Sequence, residues 1–311
     1  MLVTSIIIAS HRVDYISGVL IPLCEAAPGT GLYEIIVVTD YPNGQFQIKY
    51  PMVKWFYTNN KSISVKRNIG IKQARGELIA FIDDDCIPDL QWVNEGTTYL
   101  RIHRDCAGVE GFTSIEKSSQ ISPSNINYKR LEKPGFRTNN IFYKKTIIEE
   151  IGGFDERFSV QREDMDLAFR ILKKGFKIDY STAIRVVHRL RKGEWYDHLK
   201  SCWNRRFDPL LYRKHRKLYR KYVSSPFPPS LLLLFIGYIL IILTWDYPVL
   251  FKCTVFSSMS VLSGSVIKRV SKARKRIVLI LREVLILLIA PIVLFVALFY
   301  GNIRYRSFLF V

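Results

Sequence analysis

An α/β fold, with a mainly parallel sheet covered by helices and a C-terminal set of transmembrane helices, is what this 311-residue sequence predicts. Three observations lead there. β-branched apolar runs alternate with helical patterns over the first 190 residues, the signature of βαβ units. Carboxylates stand at the C-terminal ends of two of those runs, where an open α/β sheet binds ligands. Long apolar stretches fill residues 226–311.

The elements follow in order. LVTSIIIAS (2–10) and YEIIVVTD (33–40) read as strands, joined by VDYISGVLIPLCEAA, a helix pattern interrupted at Pro22. MVKWFYT (52–58) is a third strand, SISVKRNIGIKQARG (62–76) a helix closed by Gly76, and ELIAFID (77–83) a fourth strand. CAGVEGFTS (106–114) reads as a strand and 115–137 as an irregular polar stretch. NNIFYKKTIIEEIGGFD (139–155) reads as strand, helix and Gly-Gly stop. In REDMDLAFRILKKG (162–175), Met165, Ala168, Phe169 and Leu172 recur at i, i+3, i+4 and i+7, so a helix is predicted with Gly175 as its stop.

Charge separates the chain into parts. Residues 1–184 hold 23 basic and 22 acidic residues, residues 185–225 hold 13 and 3, and residues 226–311 hold 10 and 2. The excess that makes the whole chain +19 therefore abuts apolar sequence, which argues against nucleic acid as the partner and for a membrane. Segments 227–245, 247–264 and 283–301 have about the length that crosses a bilayer core. The sequence thus predicts an α/β domain over 1–194, a basic amphipathic juxtamembrane segment over 195–225, and a membrane domain over 226–311. Basic clusters at 213–222 and 268–276 put both on the cytoplasmic side, giving a multi-pass cell-membrane protein with its N-terminal α/β domain in the cytoplasm. MLVTSIIIAS lacks the basic start of a secretory signal, and five scattered cysteines without CxxC spacing fit neither a disulfide framework nor a structural zinc site.

Chemistry concentrates in two acidic clusters. LIAFIDDDCIPD (78–89) drives an apolar strand into Asp83, Asp84 and Asp85, whose mutual repulsion needs bases or a divalent cation to offset it. Alternate residues of an extended chain point the same way, so Asp83 and Asp85 can act together while Asp84 faces elsewhere. A solvated acidic turn is the other reading of that run. Glu163, Asp164 and Asp166 lie in the first turn of a predicted helix, where the macrodipole favours carboxylates without any catalytic role.

In order, SIIIASHR, EIIVVTDYP, SVKRNIGIKQARGELIAFIDDDCIP, NIFYKKTIIEEIGGFDERF and REDMDLAFRILKKG resemble the inverting family 2 glycosyltransferases of the GT-A fold, over nearly all of residues 3–190. The resemblance implies a nucleotide-sugar site built from Ser10, Arg12, Asp40, Arg67, Asp83 and Asp84, with Thr39 replacing the first acid of the family's usual pair before Asp40. It implies a divalent metal, Mn or Mg, at Asp83, Asp85 and His188. It also implies Asp164 as the general base and Glu163 as its neighbour orienting the acceptor.

The expected activity is transfer from a nucleotide-diphosphate sugar to a hydroxyl of a lipid-linked or cell-surface glycan. A polyprenyl phosphate is already ionised at neutral pH and needs no base, which favours a hydroxyl acceptor. The processive synthases' Gln-x-x-Arg-Trp signature is missing; the nearest piece is SCWNRRFD. A polyprenyl-phosphate sugar synthase and an inactive nucleotide-sugar-binding membrane scaffold remain as alternatives.

Overall fold

Four of the apolar runs fold as the predicted strands: β1 (Thr4–Ser10), β2 (Tyr33–Thr39), β3 (Val53–Tyr57) and β4 (Leu78–Ile82). The computed structural model describes residues 3–12, 14–26, 32–42, 44–116, 129–190, 193–223, 225–270 and 277–309. Every residue of β1 and β4 is buried, which is why these strands read as continuous apolar runs rather than alternating ones. β1 pairs in parallel with both β2 and β4, and β2 in parallel with β3. The crossovers are helical: α1 (Ile16–Ala26), α2 (Gly44–Lys49) and α3 (Ile63–Gln73).

Two local expectations are corrected here. The first helix is not interrupted at Pro22 but runs through it to Ala26, held by the buried face of Ile16, Val19, Leu20 and Leu23. α3 ends before Gly76, at Ala74 in an extended conformation. Gly76 donates its N–H to Ser5 Oγ at 2.8 Å instead.

The chain then continues through β5 (Cys86–Pro88), α4 (Trp92–Ile102), β6 (Cys106–Ile115), β7 (Asn140–Lys144), α5 (Lys145–Glu150), α6 (Glu163–Lys173) and β8 (Lys177–His188). The sheet has eight strands in the order β3-β2-β1-β4-β7-β6-β8-β5. β7 runs antiparallel to both β4 and β6, and β5 antiparallel to β8, while β6 and β8 are parallel. The parallel expectation thus holds for the first four strands, and the sheet as a whole is mixed. Period-2 alternation divides the core between the two faces. Ile6, Ile8, Val37 and Ala80 pack with Trp92 on one face; Ile7, Ile36, Val38 and Phe81 pack with Leu167 and Ile171 on the other.

Strand order positions the site. From β1 the chain winds outward through β2 and β3, then returns to set β4 on the opposite side of β1. This reversal opens a crevice at the C-terminal ends of β1, β2 and β4, the place where doubly wound sheets bind ligands. Ser10, Asp40 and the Asp83–Asp85 run stand at those three ends.

Residues after Leu190 form a second compact unit, all helical among the described residues. It comprises α7 (Asp197–Asn204), a single 3-10 turn (Arg205–Phe207), α8 (Asp208–Tyr222), α9 (Pro229–Leu243), α10 (Pro248–Val270) and α11 (Ile277–Tyr305). The predicted juxtamembrane segment is α7 and α8, and α8 kinks at His215. α10 and α11 are long and apolar enough to cross a bilayer. α9 has 15 residues, bounded by Pro228 and by the turn that begins at Thr244, so the stretch expected to span at 227–245 is helical over about 22 Å. The basic stretch 268–276 and the polar stretch 115–137 lie in part outside the described residues.

Candidate active site

Each of the three consecutive aspartates at the end of β4 meets a different partner. Asp83 is half-buried and accepts from Arg67 Nη2 at 3.2 Å. Asp84 turns inward and accepts from Ser10 Oγ at 2.9 Å and from the His11 N–H at 3.1 Å, tying the end of β1 to the end of β4. Burial and the neighbouring Asp85 push its carboxyl above the usual range. Asp85 is fully buried, with Arg12 Nη1 at 4.0 Å and His188 Nε2 at 3.5 Å. The repulsion that makes the run conspicuous in sequence is therefore divided among three directions.

Arg67 links the first acidic cluster to the second. It is 4% exposed, donates Nη1 to Glu163 Oε1 at 2.8 Å as well as Nη2 to Asp83, and lies 5.5 Å from the centre of the Phe154 ring. The rest of the helix motif acts on packing. Asn68 donates Nδ2 to Phe154 O at 2.9 Å and accepts the Phe154 N–H at 2.8 Å, pinning the Gly-Gly-Phe turn to α3. Gly70 lets α3 approach β1, since a Cβ there would overlap Ile7 Cγ2.

The second acidic cluster begins α6. Arg162, directly before the helix, holds a left-handed backbone (φ 76°), which costs a residue with a side chain about 1–2 kcal/mol. Gly152 and Gly153 hold left-handed conformations at the preceding turn. Glu163 is 6% exposed, and its Oε2 is buried without a hydrogen-bond partner among the described residues. Burial first, then repulsion from Asp164, pushes its carboxyl up to about 7 against the pull of Arg67. Burial also raises Asp164, opposed by the Met165 N–H that donates to its Oδ1 at 2.7 Å. A proton-accepting carboxylate at this point thus titrates nearer neutrality than an exposed one. Asp166 has a structural role: Arg170 Nε donates to it at 2.9 Å while Arg170 Nη1 and Nη2 bind the Ile151 and Gly153 carbonyls.

Two residues at Asp40 are missing from the sequence-based site. Lys66 is fully buried, with Nζ 2.8 Å from Asp40 Oδ1, 2.7 Å from the Ser10 carbonyl and 2.7 Å from His11 Nδ1. His11 Nδ1 in turn lies 3.3 Å from Asp40 Oδ2. Burial acts upward on the Asp40 carboxyl, but the hydrogen bonds and charges of Lys66 and His11 together outweigh it and hold the group below the usual range. Burial, followed by Lys66, lowers His11. No periodicity marks Lys66; its one signal is a basic residue directly before Arg67 in a helix whose buried residues are mostly polar.

A divalent cation fits part of the predicted ligand set. His188 Nδ1 donates to the Arg189 carbonyl at 2.9 Å, which turns Nε2 toward Asp85 Oδ1, as in metal-binding histidines. Among the described residues, the ligand atoms of Asp85, His188 and Cys86 converge within 4.8 Å of one another. Asp83 is outside that group and pairs with Arg67.

Comparison with known proteins bears on the family and the fold. The family model "Glycosyl transferase family 2" matches residues 5–155, and "Glycosyl transferase family group 2" matches residues 129–301, more than half of the chain. The chain is similar to glycosyltransferase AglE of Haloferax volcanii, at 22% identity over 51% of this chain and 57% of the relative. It is also similar to a glucosyl-dolichyl phosphate glucuronosyltransferase of Haloferax volcanii, at 23% identity over 55% of this chain and 58% of the relative. The chain therefore spans little more than half the length of these relatives. The crystal structure of GalNAc-T7 with UDP, GalNAc and Mn2+ superposes with a TM-score of 0.50 at 15% identity, over 68% of this chain and 50% of that one, and so shares the fold. With the strand order, the crevice at the switch point and these matches together, the chain belongs to the family 2 glycosyltransferases and carries the GT-A fold.

Proposed function

We propose that this glycosyltransferase inverts a sugar as it moves it from a nucleotide-diphosphate donor to a hydroxyl of a lipid-linked glycan, with α10 and α11 in the membrane and the catalytic domain on the cytoplasmic side. The observation that carries the reading is Arg67, which joins the donor-side Asp83 to Glu163 of the acid pair at 3.2 and 2.8 Å. One guanidinium thereby ties the end of β4 to the start of α6.

In this reading Asp40, held by Lys66 and His11, accepts an N–H of the nucleotide base. Ser10, Asp84 and Arg12 shape the floor beneath the ribose and diphosphate, and Arg67 stands near the developing charge. Asp85 and His188 would hold a divalent cation, Mn or Mg, which would supply electrostatic stabilisation of the diphosphate leaving group. Asp164 takes the proton of the acceptor hydroxyl as the oxygen attacks the anomeric carbon from the face opposite the diphosphate. The C–O bond to the acceptor forms as the bond to the diphosphate breaks, and the anomeric configuration inverts.

Two features support a hydroxyl acceptor. A carboxylate such as Asp164 repels a phosphate nucleophile and serves no purpose toward one that is already ionised. A similar protein also bears the name glucosyl-dolichyl phosphate glucuronosyltransferase, in which a sugar is already attached to the lipid. The test is Asp164→Asn: transfer from a panel of nucleotide sugars to a membrane lipid extract is expected to disappear while donor binding, followed by calorimetry, persists. Unchanged turnover would remove Asp164 from the role.

A further inference from the structure

We propose that Cys86 is a third protein ligand of the cation site, so that Asp85, Cys86 and His188 form an oxygen, sulfur and nitrogen set that takes a borderline-soft divalent cation such as Zn2+ or Co2+ more tightly than Mg2+. The inference rests on the reading of Asp85 and His188 as cation ligands and adds to it a donor that the hard-cation expectation does not use.

Strand pairing makes the arrangement. Cys86 and His188 are direct cross-strand partners in the antiparallel pair of β5 and β8, so their side chains leave the sheet on the same side. Asp85 precedes Cys86 just before the strand begins, where it is free of the strict alternation that would turn it to the opposite face. All three side chains are buried.

Two of the three separations lie close to those of a tetrahedral ion. With metal–oxygen and metal–nitrogen bonds of about 2.1 Å and a metal–sulfur bond of about 2.3 Å, tetrahedral geometry sets ligand–ligand edges of about 3.4 Å for O/N and about 3.6 Å for O/S pairs. Asp85 Oδ1 to His188 Nε2 is 3.5 Å and Asp85 Oδ1 to Cys86 Sγ is 3.9 Å. The third edge lies within 4.8 Å. Closure onto an ion therefore asks for movements of tenths of an ångström on the two measured edges. Three protein ligands leave a fourth position for an exchangeable one, the pattern of catalytic rather than structural zinc sites.

The surrounding groups are arranged as outer-shell partners. His188 donates Nδ1 to a backbone carbonyl, which fixes the ring with Nε2 toward the other two ligands. Asn139 Nδ2 points at Cys86 Sγ at 3.9 Å and is itself oriented by Thr113 Oγ1 at 3.0 Å. Sulfur as donor then decides the metal: thiolate selects borderline and soft cations, whereas Mg2+ needs oxygen.

The experiment is titration of the full chain, purified in detergent, with Co2+ alone. Binding by all three groups is expected to produce visible ligand-field bands of a four-coordinate ion together with a near-ultraviolet sulfur-to-cobalt charge-transfer band. Zn2+ should displace Co2+ and bleach both, and Mg2+ should not. Cys86→Ser should lose the near-ultraviolet band and bind Co2+ about 10-fold more weakly or worse, whereas Cys24→Ser/Cys253→Ser should keep the spectrum. Visible bands without the near-ultraviolet band, or a spectrum unchanged in Cys86→Ser, would overturn the sulfur ligand and leave the Asp85–His188 reading intact. Absence of bound Co2+ in equilibrium dialysis would overturn both. Should Cys86→Ser not fold, the double variant decides: a near-ultraviolet band lost with Cys24 and Cys253 belongs to those thiols and overturns the proposal.

Discussion

Replacing Arg67 by Met removes one cation from two carboxylates, and the structure sets how the cost should vary with pH. Asp83 is exposed enough for water to take over from the guanidinium, so its share is small. Glu163 is 6% exposed and has no such recourse. The lost hydrogen bonds and packing on Phe154 cost about 1–2 kcal/mol at any pH.

The rest is proton linkage. A carboxyl raised in the folded state contributes stability that is intact below its unfolded value and is lost as pH rises toward the folded one. In the intact protein this loss ends near the value of about 7 at which Glu163 ionises. Without Arg67 the group ionises later, and each further pH unit costs about 1.4 kcal/mol. By pH 9 the variant should have lost about 3 kcal/mol more than at pH 5. The total of about 4–5 kcal/mol agrees with the cost of breaking a buried ion pair from one side. At about 2–4 °C per kcal/mol, Arg67→Met should lower the melting temperature by roughly 4 °C at pH 5 and roughly 12 °C at pH 9. Differential scanning fluorimetry of the detergent-purified chain at both values reads this directly. Equal losses at the two pH values would refute the argument, because they would mean that Glu163 is not the group Arg67 serves.

The same acid pair should shape the rate. Transfer is expected to rise with pH as the raised pair ionises, and Glu163→Gln, by removing the member that burial and Asp164 push up to about 7, should strip that step from the acid limb of the kcat profile; a limb still rising near 7 contradicts the coupling. Lys66→Met leaves Asp40 to His11 alone and removes a charge-assisted bond worth about 1.5–3 kcal/mol, so nucleoside-diphosphate binding should weaken about 10–100-fold by calorimetry. Affinity equal to that of the parent would take Lys66 out of the base site. Gly153→Ala puts a Cβ in a left-handed position 2.8 Å from Asn68 Oδ1, and about 1–2 kcal/mol of stability should be lost from the backbone alone. Chemical denaturation measures that loss, and a neutral result would mean that the turn relaxes freely.

What could be read along the chain depended on whether its cause is local. β1, β2 and β4 are continuous apolar runs, and α6 repeats its apolar residues with the helical period, so their pattern reports the burial that follows. α4 shows a weaker form of the same pattern, with its buried residues Trp92, Gly96 and Leu100 four apart on one helical face and a glycine in the middle place. β5 carried no signal of its own, because three residues become a strand only when β8 arrives beside them.

The site divides in the same way. Asp40, Asp83 to Asp85 and the Glu163–Asp164 pair were legible because charge at a strand end or a helix start is conspicuous against its neighbours. The sequence by itself determined which chemistry is present: acids, an arginine on a glycine-bearing helix, and a histidine closing a strand. Only the tertiary structure decided who faces whom. Arg67 and Glu163 are separated by 96 positions, Lys66 and Ser10 by 56, and Cys86 and His188 meet through sheet register. Pairings of that kind arise from strand order and burial acting on the whole chain, where the cost of an unpaired buried charge selects the partner and no short window of sequence records the choice.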